Sequence, residues 1–159
     1  MKRFSIITLI IAVLIPLLIG GVSAALSSQG MALYENMNKP LFSPPAWVFS
    51  IAWTILYIMM GIASYFVIMA QTQTASKVIA LILYGVQLAM NFMWSIAFFN
   101  WDRYLFAFIW LVVMWCIVII CTVRFFAIRR VAGWFMMPYV LWLTFAAYLN
   151  FGAYMLNKM

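Results

Sequence analysis

Three tryptophans in the interior of long apolar runs have polar or aromatic neighbours at the spacing of one helical turn. These groups are Trp53 with Tyr57, Asn91 with Trp94 and Ser95, and Trp142 with Ala146 and Asn150. A polar side chain at membrane depth is costly unless it has a partner, so Asn91 and Asn150 must face other helices or a ligand. Hydrogen bonds between helices and a ligand pocket both meet this requirement, and the spacing alone leaves both interpretations open.

The rest of the sequence excludes most conventional catalytic chemistry. The chain has 159 residues, no His, and two acidic residues, Glu35 and Asp102. Without His there is no Ser-His-Asp triad and no histidine ligand for zinc or haem, and two carboxylates cannot form a carboxylate metal cage. Cys116 and Cys121 are separated by about 500° on a helix and point to different faces. We therefore expect no metal site and no required cofactor.

The composition predicts an integral membrane protein. Hydrophobic residues make up 70% of the chain and charged residues 7%, whereas a soluble domain is about half apolar and about a quarter charged. The net charge of +7 comes from sparse basic residues between apolar runs. This placement is typical of the charges that orient a protein in a membrane. We therefore expect membrane lipids as surroundings and no nucleic-acid partner.

Five apolar runs are each long enough to cross a bilayer, which takes about 20 helical residues. They cover residues 4–26, 46–70, 78–100, 104–125 and 131–156. The first run resembles a secretory signal, but its apolar stretch exceeds the roughly 7–15 residues of a cleaved signal, so we expect it to remain as a helix. Backbone groups cannot stay unpaired in lipid. The prediction is an all-α integral membrane protein, a single domain over residues 1–159 built as a bundle of five transmembrane helices.

One long connection separates the first two predicted helices. Residues 27–45 contain Pro40, Pro44 and Pro45, which predict a stiff, non-helical segment. The other connections are short, and Asp102 is placed to cap the fourth helix.

Basic residues in the connections predict the orientation of the bundle. Alternate connections place six on one side and three on the other; they are Lys2, Arg3, Lys77, Arg124, Arg129 and Arg130 against Lys39, Arg103 and Lys158. The side with six should be cytoplasmic. The N-terminus is therefore predicted inside the cell, and the C-terminus and the long connection outside.

Two further sequence patterns are weak evidence on their own. Gly85 and Ala89 form a small-xxx-small pair in the third run, which favours a dimer face or a close internal contact. Leu149, Tyr154 and Lys158 fit the permissive pattern proposed for cholesterol contact.

The long connection and the start of the second run carry a distinctive motif. Residues 39–49 read Lys-Pro-Leu-Phe-Ser-Pro-Pro-Ala-Trp-Val-Phe, and residues 53–57 read Trp-Thr-Ile-Leu-Tyr. With the stretches at 91–99 and 138–150, this closely resembles the signature of the TspO translocator family, the tryptophan-rich sensory proteins related to the peripheral benzodiazepine receptor. The sequence looks bacterial in type, which implies a bacterial cell membrane. Phe42 stands where many bacterial members have Trp, a departure that bears on loop packing and porphyrin affinity.

The resemblance implies a five-helix bundle whose pocket opens toward the long connection, which would act as a lid. Matched by position, the ligand-binding residues would be Tyr34, Pro44, Phe49, Trp53, Tyr57, Asn91, Trp94, Trp142 and Ala146. Family members bind porphyrins, including protoporphyrin and haem, and isoquinoline or benzodiazepine-like drugs. The implied function is a membrane receptor for such aromatic ligands, extending to transport or sensing of tetrapyrroles. From the pair in the third run, Gly85 and Ala89, we also expect a homodimer. Haem would bind without histidine ligation.

The resemblance also implies an alternative, enzymatic function. Some bacterial members break down protoporphyrin in light, a role assigned to tryptophans that match Trp53 and Trp142, so porphyrin would be a substrate. No general acid or base is needed, which suits a chain without His. Animal members bind cholesterol, but the sterol pattern is loosely kept here, and we do not expect a sterol transporter. No Lys, Arg, Asp or Glu lies deep in any run, which argues against an ion path.

Overall fold

The chain forms a bundle of long helices, seen here in a computed structural model that describes residues 5–28, 30, 34, 36–101 and 103–157. The helices are α1 (Ile6–Leu26), α2 (Ala46–Met69), α3 (Thr74–Phe99), α4 (Tyr104–Ile128) and α5 (Arg130–Leu156). All five are long and apolar enough to cross a membrane. No strand occurs in the described ranges. The predicted all-α membrane bundle of five helices is confirmed.

The helices pack in a ring whose order differs from their order in the chain. Around the bundle the order is α1, α2, α5, α4 and α3, and α3 packs against α1 to close the ring. Short connections make α3, α4 and α5 successive antiparallel neighbours. The ring brings α2, α3 and α5, which carry the tryptophans singled out in the sequence, around a common interior.

Two helix ends differ most from the sequence prediction. Helix α3 begins at Thr74 rather than at 78, and α4 ends at Ile128 rather than at 125. Only Arg129 therefore joins α4 to α5. Hydropathy marks where the chain enters lipid, whereas helical hydrogen bonding continues through the polar residues at the membrane surface, so the apolar runs underestimate these helices.

The connection between α1 and α2 is partly helical, and the prediction of a wholly non-helical segment was wrong. Ser28, Gly30, Tyr34 and Asn36 have helical backbone. The three prolines all lie in the second half of the connection and do not restrict the first half. Several residues used in the sequence predictions lie outside the described part of the chain: Lys2, Arg3, Glu35, Lys158 and Asp102, the predicted cap of α4.

Glycines bring α1 into close contact with α2. A Cβ atom on Gly20 would overlap the ring of Tyr57, and one on Gly61 would lie 2.5 Å from Cα of Val13. Only glycine allows the two helices to approach this closely at these positions. Pro16 lies inside α1 and is buried at the same face. Helix α1 is therefore an integral part of the bundle and a wall of its interior.

Candidate ligand-binding site

A chain of hydrogen bonds crosses the interior of the bundle from α2 through α3 to α5. The Tyr57 hydroxyl donates to Oδ1 of Asn91 at 2.8 Å, and Nδ2 of Asn91 donates to the Tyr139 hydroxyl at 3.0 Å. The Tyr139 hydroxyl in turn donates to Oε1 of Gln87 at 2.9 Å, and Nε2 of Gln87 lies 3.8 Å from the sulfur of Met60. All five residues are buried. Asn91 thus links the helices, as one of the two interpretations of the sequence proposed.

Two members of this chain, Gln87 and Tyr139, were missed by the sequence reasoning. A signal for Gln87 was present, because Gln87, Asn91 and Ser95 are each four residues apart and lie on one face of α3. Tyr139 directly follows Pro138, but its aromatic ring gave no reason to separate it from lipid-facing tyrosines. Both residues are fully buried, at 0% exposure.

Asn150 also links helices. With its amide oxygen turned toward the indole of Trp94, Asn150 accepts a hydrogen bond from Nε1 at 3.0 Å and donates one to the Tyr104 carbonyl at 2.9 Å. This orientation satisfies both ends of an amide that is 1% exposed. Asn150 therefore fixes the Trp94 ring between α3 and α5.

The tryptophans on α2, α3 and α5 meet around Trp53. The ring centroid of Trp53 lies 5.6 Å from that of Tyr57 and 6.3 Å from that of Trp94. It also lies 6.0 Å from Tyr139 and 6.4 Å from Trp142, both in edge-on arrangements. These distances are within the usual range for interacting aromatic pairs. The structure thus brings the predicted aromatic residues into one cluster.

A cavity of about 190 Å³ lies beside this cluster, between α1, α2 and α3. Its wall includes five of the predicted ligand-binding residues: Phe49, Trp53, Tyr57, Asn91 and Trp94. Asn91 can make further hydrogen bonds, because an amide carries two N–H groups and two lone pairs and the helix contacts use one of each. The cavity is therefore mainly apolar and aromatic, and Asn91 is its polar group from the hydrogen-bonded chain that can still bond a ligand.

The α1 wall of this cavity was not found by sequence reasoning. Gly20, Gly21, Ser23 and Ser27 all line it. The Ser23 hydroxyl is buried and has no hydrogen-bond partner in the described part of the chain. The Ser27 and Ser95 hydroxyls lie 3.0 Å apart and join α1 to α3 at the outer end of the cavity. Small residues within an apolar run carry no sequence signal that distinguishes a cavity wall from a lipid face.

A second, smaller cavity of about 20 Å³ lies under the connection between α1 and α2. We refer to this connection, residues 27–45, as the lid. Tyr34 and Ala146, both predicted, line this cavity. Phe49, Trp94 and Phe99 line both cavities. These three rings therefore form a partition between the two spaces.

Side-chain hydrogen bonds act within the lid and between the lid and the end of α5. Within the lid, the Tyr34 hydroxyl donates to the Pro44 carbonyl at 3.4 Å, which is the role that the structure gives to Pro44. Asn157, just after α5, donates to the Asn38 carbonyl at 2.9 Å and accepts from the Asn38 amide at 3.2 Å. Burial raises the pKa of the Tyr34 hydroxyl, which keeps it protonated and able to donate. The described lid is thus in a closed arrangement.

Trp142 lies behind the cavity rather than in its wall. Its ring contacts those of Phe49, at 5.9 Å, and Trp53. On its other side Trp142 lines an outer groove between α2 and α5, together with Pro138. Its indole N–H is buried without a partner among the described residues. In the described structure, Trp142 therefore contacts two residues of the cavity wall, Phe49 and Trp53, and does not line the cavity itself.

The two weaker sequence patterns remain predictions. Leu149 points into the small cavity, whereas Tyr154 packs beside Phe151, with ring centroids 6.5 Å apart. Gly85 is exposed, as is Ala89, and a Cβ atom at Gly85 would contact nothing within 4 Å. The α3 pair is therefore not a tight internal contact in the described structure, and its use as a dimer face stays a prediction.

Comparison with known proteins gives a consistent result over most of the chain. The model of the TspO/MBR family matches residues 12–156. The chain is 41% identical to "Tryptophan-rich sensory protein" of Cereibacter sphaeroides over 124 residues, 78% of this chain and 76% of that protein. It is 33% identical to "Tryptophan-rich protein TspO" of Archaeoglobus fulgidus, covering 96% of this chain and 99% of the relative. It is 32% identical to "Translocator protein" of Homo sapiens, covering 77% and 73%.

The aromatic cluster, the lid and the five spans thus occur in a chain matched by the family model over nearly its whole length. The protein is an integral membrane member of the TspO/MBR family.

Proposed function

We propose that this protein is a membrane receptor that binds porphyrins, such as protoporphyrin and haem, and benzodiazepine or isoquinoline-like aromatic ligands. The observation that carries the proposal is the cavity lined by Phe49, Trp53 and Trp94 together with Asn91. Flat apolar ligands gain about 25 cal/mol for each Å² removed from water, and aromatic walls add stacking. Asn91 supplies a directed hydrogen bond. Mostly apolar and aromatic walls with a few placed polar groups are the usual composition of a ligand pocket.

A porphyrin requires more room than the described cavity provides. The cavity has a volume of about 190 Å³, which is below the roughly 300–1,000 Å³ of pockets that enclose drug-sized ligands. The smaller cavity lies directly across the partition of Phe49, Trp94 and Phe99. Rotation of these rings, or displacement of the lid above them, would join the two spaces. Binding is therefore expected to be accompanied by movement at the partition and the lid.

Glycine positions allow a sharp test of this site. Gly21 lines the cavity, and a Cβ atom there would contact nothing within 4 Å, so Gly21→Leu should fill the space without disturbing helix packing. Ala25 is exposed one turn further along α1 and is not in the cavity wall, which makes Ala25→Leu a matched control. Protoporphyrin would be titrated in the dark against intrinsic Trp fluorescence. We expect at least about tenfold weaker binding for Gly21→Leu, or about 1.4 kcal/mol. Wild-type affinity in Gly21→Leu would refute the site.

Transport or sensing of tetrapyrroles would extend this receptor function. The relatives named above as translocator and sensory proteins support both extensions. Flux of a labelled porphyrin into liposomes would separate transport from binding alone. Equal flux in liposomes with wild-type and Gly21→Leu protein would argue against transport through this cavity.

A second candidate function is light-dependent degradation of bound protoporphyrin. The observation that favours it is the position of Trp53, which lines the cavity and lies 6.4 Å from Trp142. An illuminated porphyrin transfers energy to molecular oxygen, and an indole at contact distance is among the most readily oxidised side chains. Oxidation of Trp53 would precede oxidation of the macrocycle. Trp142, which contacts Trp53, would be the second indole available for oxidation.

The photochemical candidate has its own test. A Trp53→Phe and Trp142→Phe double variant keeps aromatic walls but removes both indoles. Under light and air, bound porphyrin absorbance should persist in this variant and decline with wild-type protein, with dark samples as controls. Bleaching at the wild-type rate in the double variant would refute the candidate while leaving the receptor function untouched.

Orientation and assembly complete the proposal. In a bacterial cell membrane, Lys77, Arg124 and Arg129 would lie on the cytoplasmic side, with the N-terminus, and the lid and C-terminus outside. The exposed pair of Gly85 and Ala89 supports a homodimer through α3.

A further inference from the structure

The tip of the lid presents apolar side chains away from the protein. Leu41 is 78% exposed and Phe42 is 85% exposed, although both belong to a connection rather than to a membrane-spanning helix. Trp47, on the first turn of α2, is 65% exposed five residues after Phe42. Large apolar side chains exposed outside the spans, as Leu41 and Phe42 are, indicate a contact partner.

The backbone at Phe42 makes this exposure harder to explain by the protein alone. Phe42 has φ 65°, the left-handed conformation that glycine or asparagine usually provides and that a bulky residue disfavours. The turn around it is closed by Ser43, whose amide and hydroxyl both donate to the Pro40 carbonyl. These hydrogen bonds stabilise the turn, but the exposed Phe42 ring itself gains no packing from the described part of the fold, which favours a partner outside the fold.

Contacts with α5 fix the depth of this tip relative to the membrane. Pro40 packs on Gly152, and the Leu41 carbonyl accepts a hydrogen bond from the Tyr148 hydroxyl at 2.9 Å. Helix α5 has 27 residues, or about 40 Å, against about 30 Å for the hydrocarbon core, which leaves about 5 Å outside the core at each end. Gly152 is four residues before the last residue of α5, about 6 Å from the helix end. Pro40 therefore lies close to the boundary between headgroups and hydrocarbon.

We infer that Leu41 and Phe42 insert into the interfacial layer of the bilayer beside the ends of α2 and α5, and that the lid is thereby anchored to the membrane. Continuity with the lipid-facing surface supports the bilayer as the partner. Trp47 on α2 and Tyr148 on α5 are both exposed, and both are residue types that concentrate at membrane interfaces. A lid held in this way can open only if its tip leaves the interface or slides within it.

The insertion is tested without any ligand, so its outcome is independent of the proposed function. Phe42→Cys, in a Cys116→Ala background that leaves only the buried Cys121, would carry an environment-sensitive fluorophore in reconstituted full-length protein. Asn36→Cys is the matched control, because Asn36 is exposed in the same connection. We expect quenching at position 42 by phospholipids with a nitroxide near the carbonyl, and quenching at position 36 by aqueous iodide.

Each other result overturns the inference. Quenching at position 42 by iodide alone would place the tip in water, and quenching by neither agent would indicate coverage by a second copy of the chain. A label at Leu41→Cys repeats the measurement should the Phe42 variant not fold. The consequence for ligand exchange does rest on the proposed function: Leu41→Ser with Phe42→Ser should speed protoporphyrin association by about tenfold, as expected for loss of an apolar anchor.

Discussion

The neighbouring glycines Gly20 and Gly21 should respond in opposite ways to the same substitution. A Cβ atom at Gly20 would lie 2.5 Å from Cδ2 and 2.7 Å from Cζ of Tyr57, whereas one at Gly21 would contact nothing. Ordinary van der Waals contact begins near 3.4 Å, so the Tyr57 ring or the whole of α1 must shift by about 1 Å to admit alanine at position 20.

The expected change in the free energy of unfolding is the sum of two contributions. Replacing glycine by alanine inside a helix stabilises by about 1 kcal/mol, and this term is common to both positions. Forcing an extra methyl group into a packed contact costs about 1–3 kcal/mol, and this term applies only to Gly20. The difference between Gly20→Ala and Gly21→Ala therefore isolates the steric cost. We expect Gly21→Ala to be up to about 1 kcal/mol more stable than wild type, and Gly20→Ala about 1–3 kcal/mol less stable than Gly21→Ala.

Unfolding in mixed micelles titrated with a denaturing detergent would measure the free-energy differences. A double-mutant cycle with Tyr57→Leu provides the control, because removal of the ring should relieve most of the cost of Gly20→Ala. Equal stability of the two alanine variants would refute the reasoning that α1 is seated on Tyr57. A penalty at Gly20 that persists after Tyr57→Leu would place the clash elsewhere.

Other outcomes follow from the same contacts. Tyr139→Phe removes two interhelical hydrogen bonds, whereas Tyr57→Phe removes one. Because each such bond contributes about 0.6 kcal/mol in a membrane, Tyr139→Phe should lower the free energy of unfolding about twice as much as Tyr57→Phe. Equal losses of unfolding free energy in detergent would contradict this. Trp53→Leu should weaken dark protoporphyrin binding more than Trp142→Leu, since only Trp53 lines the cavity; fluorescence titration would decide. Gly85→Leu should shift a cross-linkable dimer toward monomer, and an unchanged dimer fraction would exclude α3 as the interface.

The fold was predictable because a bilayer leaves the chain few options. Long apolar runs must be helical where no water can pair with the backbone, so the five apolar runs predicted five spans. The helix ends were less accurate, since nothing in hydropathy marks where hydrogen bonding stops; α4 continues to Ile128 through Arg124. The helical part of the lid near Tyr34 was missed because prolines six to eleven residues away dominated the interpretation of the whole segment.

The candidate site was predictable where residue type carries the signal. Asn91 and Asn150 were expected to have partners, and they do, because an unpaired amide cannot be tolerated in lipid. The α1 wall was not predictable, because Gly21 and Ser23 acquire meaning only from the helix packed opposite them. Pairwise contact between α1 and α3 depends on the ring order of the helices, which no pattern within one helix reveals.

The positions of Trp53 and Trp142 determine the order in which the two indoles could react with a molecule in the cavity. Trp53 lines the cavity, whereas Trp142 contacts Phe49 and Trp53 and does not line it. A receptor needs only the first of these indoles, because stacking requires contact with the ligand. A photochemical function would use both in sequence, with oxidation at Trp53 passing to Trp142. Loss of Trp142 should therefore weaken dark binding less than loss of Trp53 and should mainly alter the fate of the oxidised state, so the two candidate functions separate at a residue outside the wall of the described cavity.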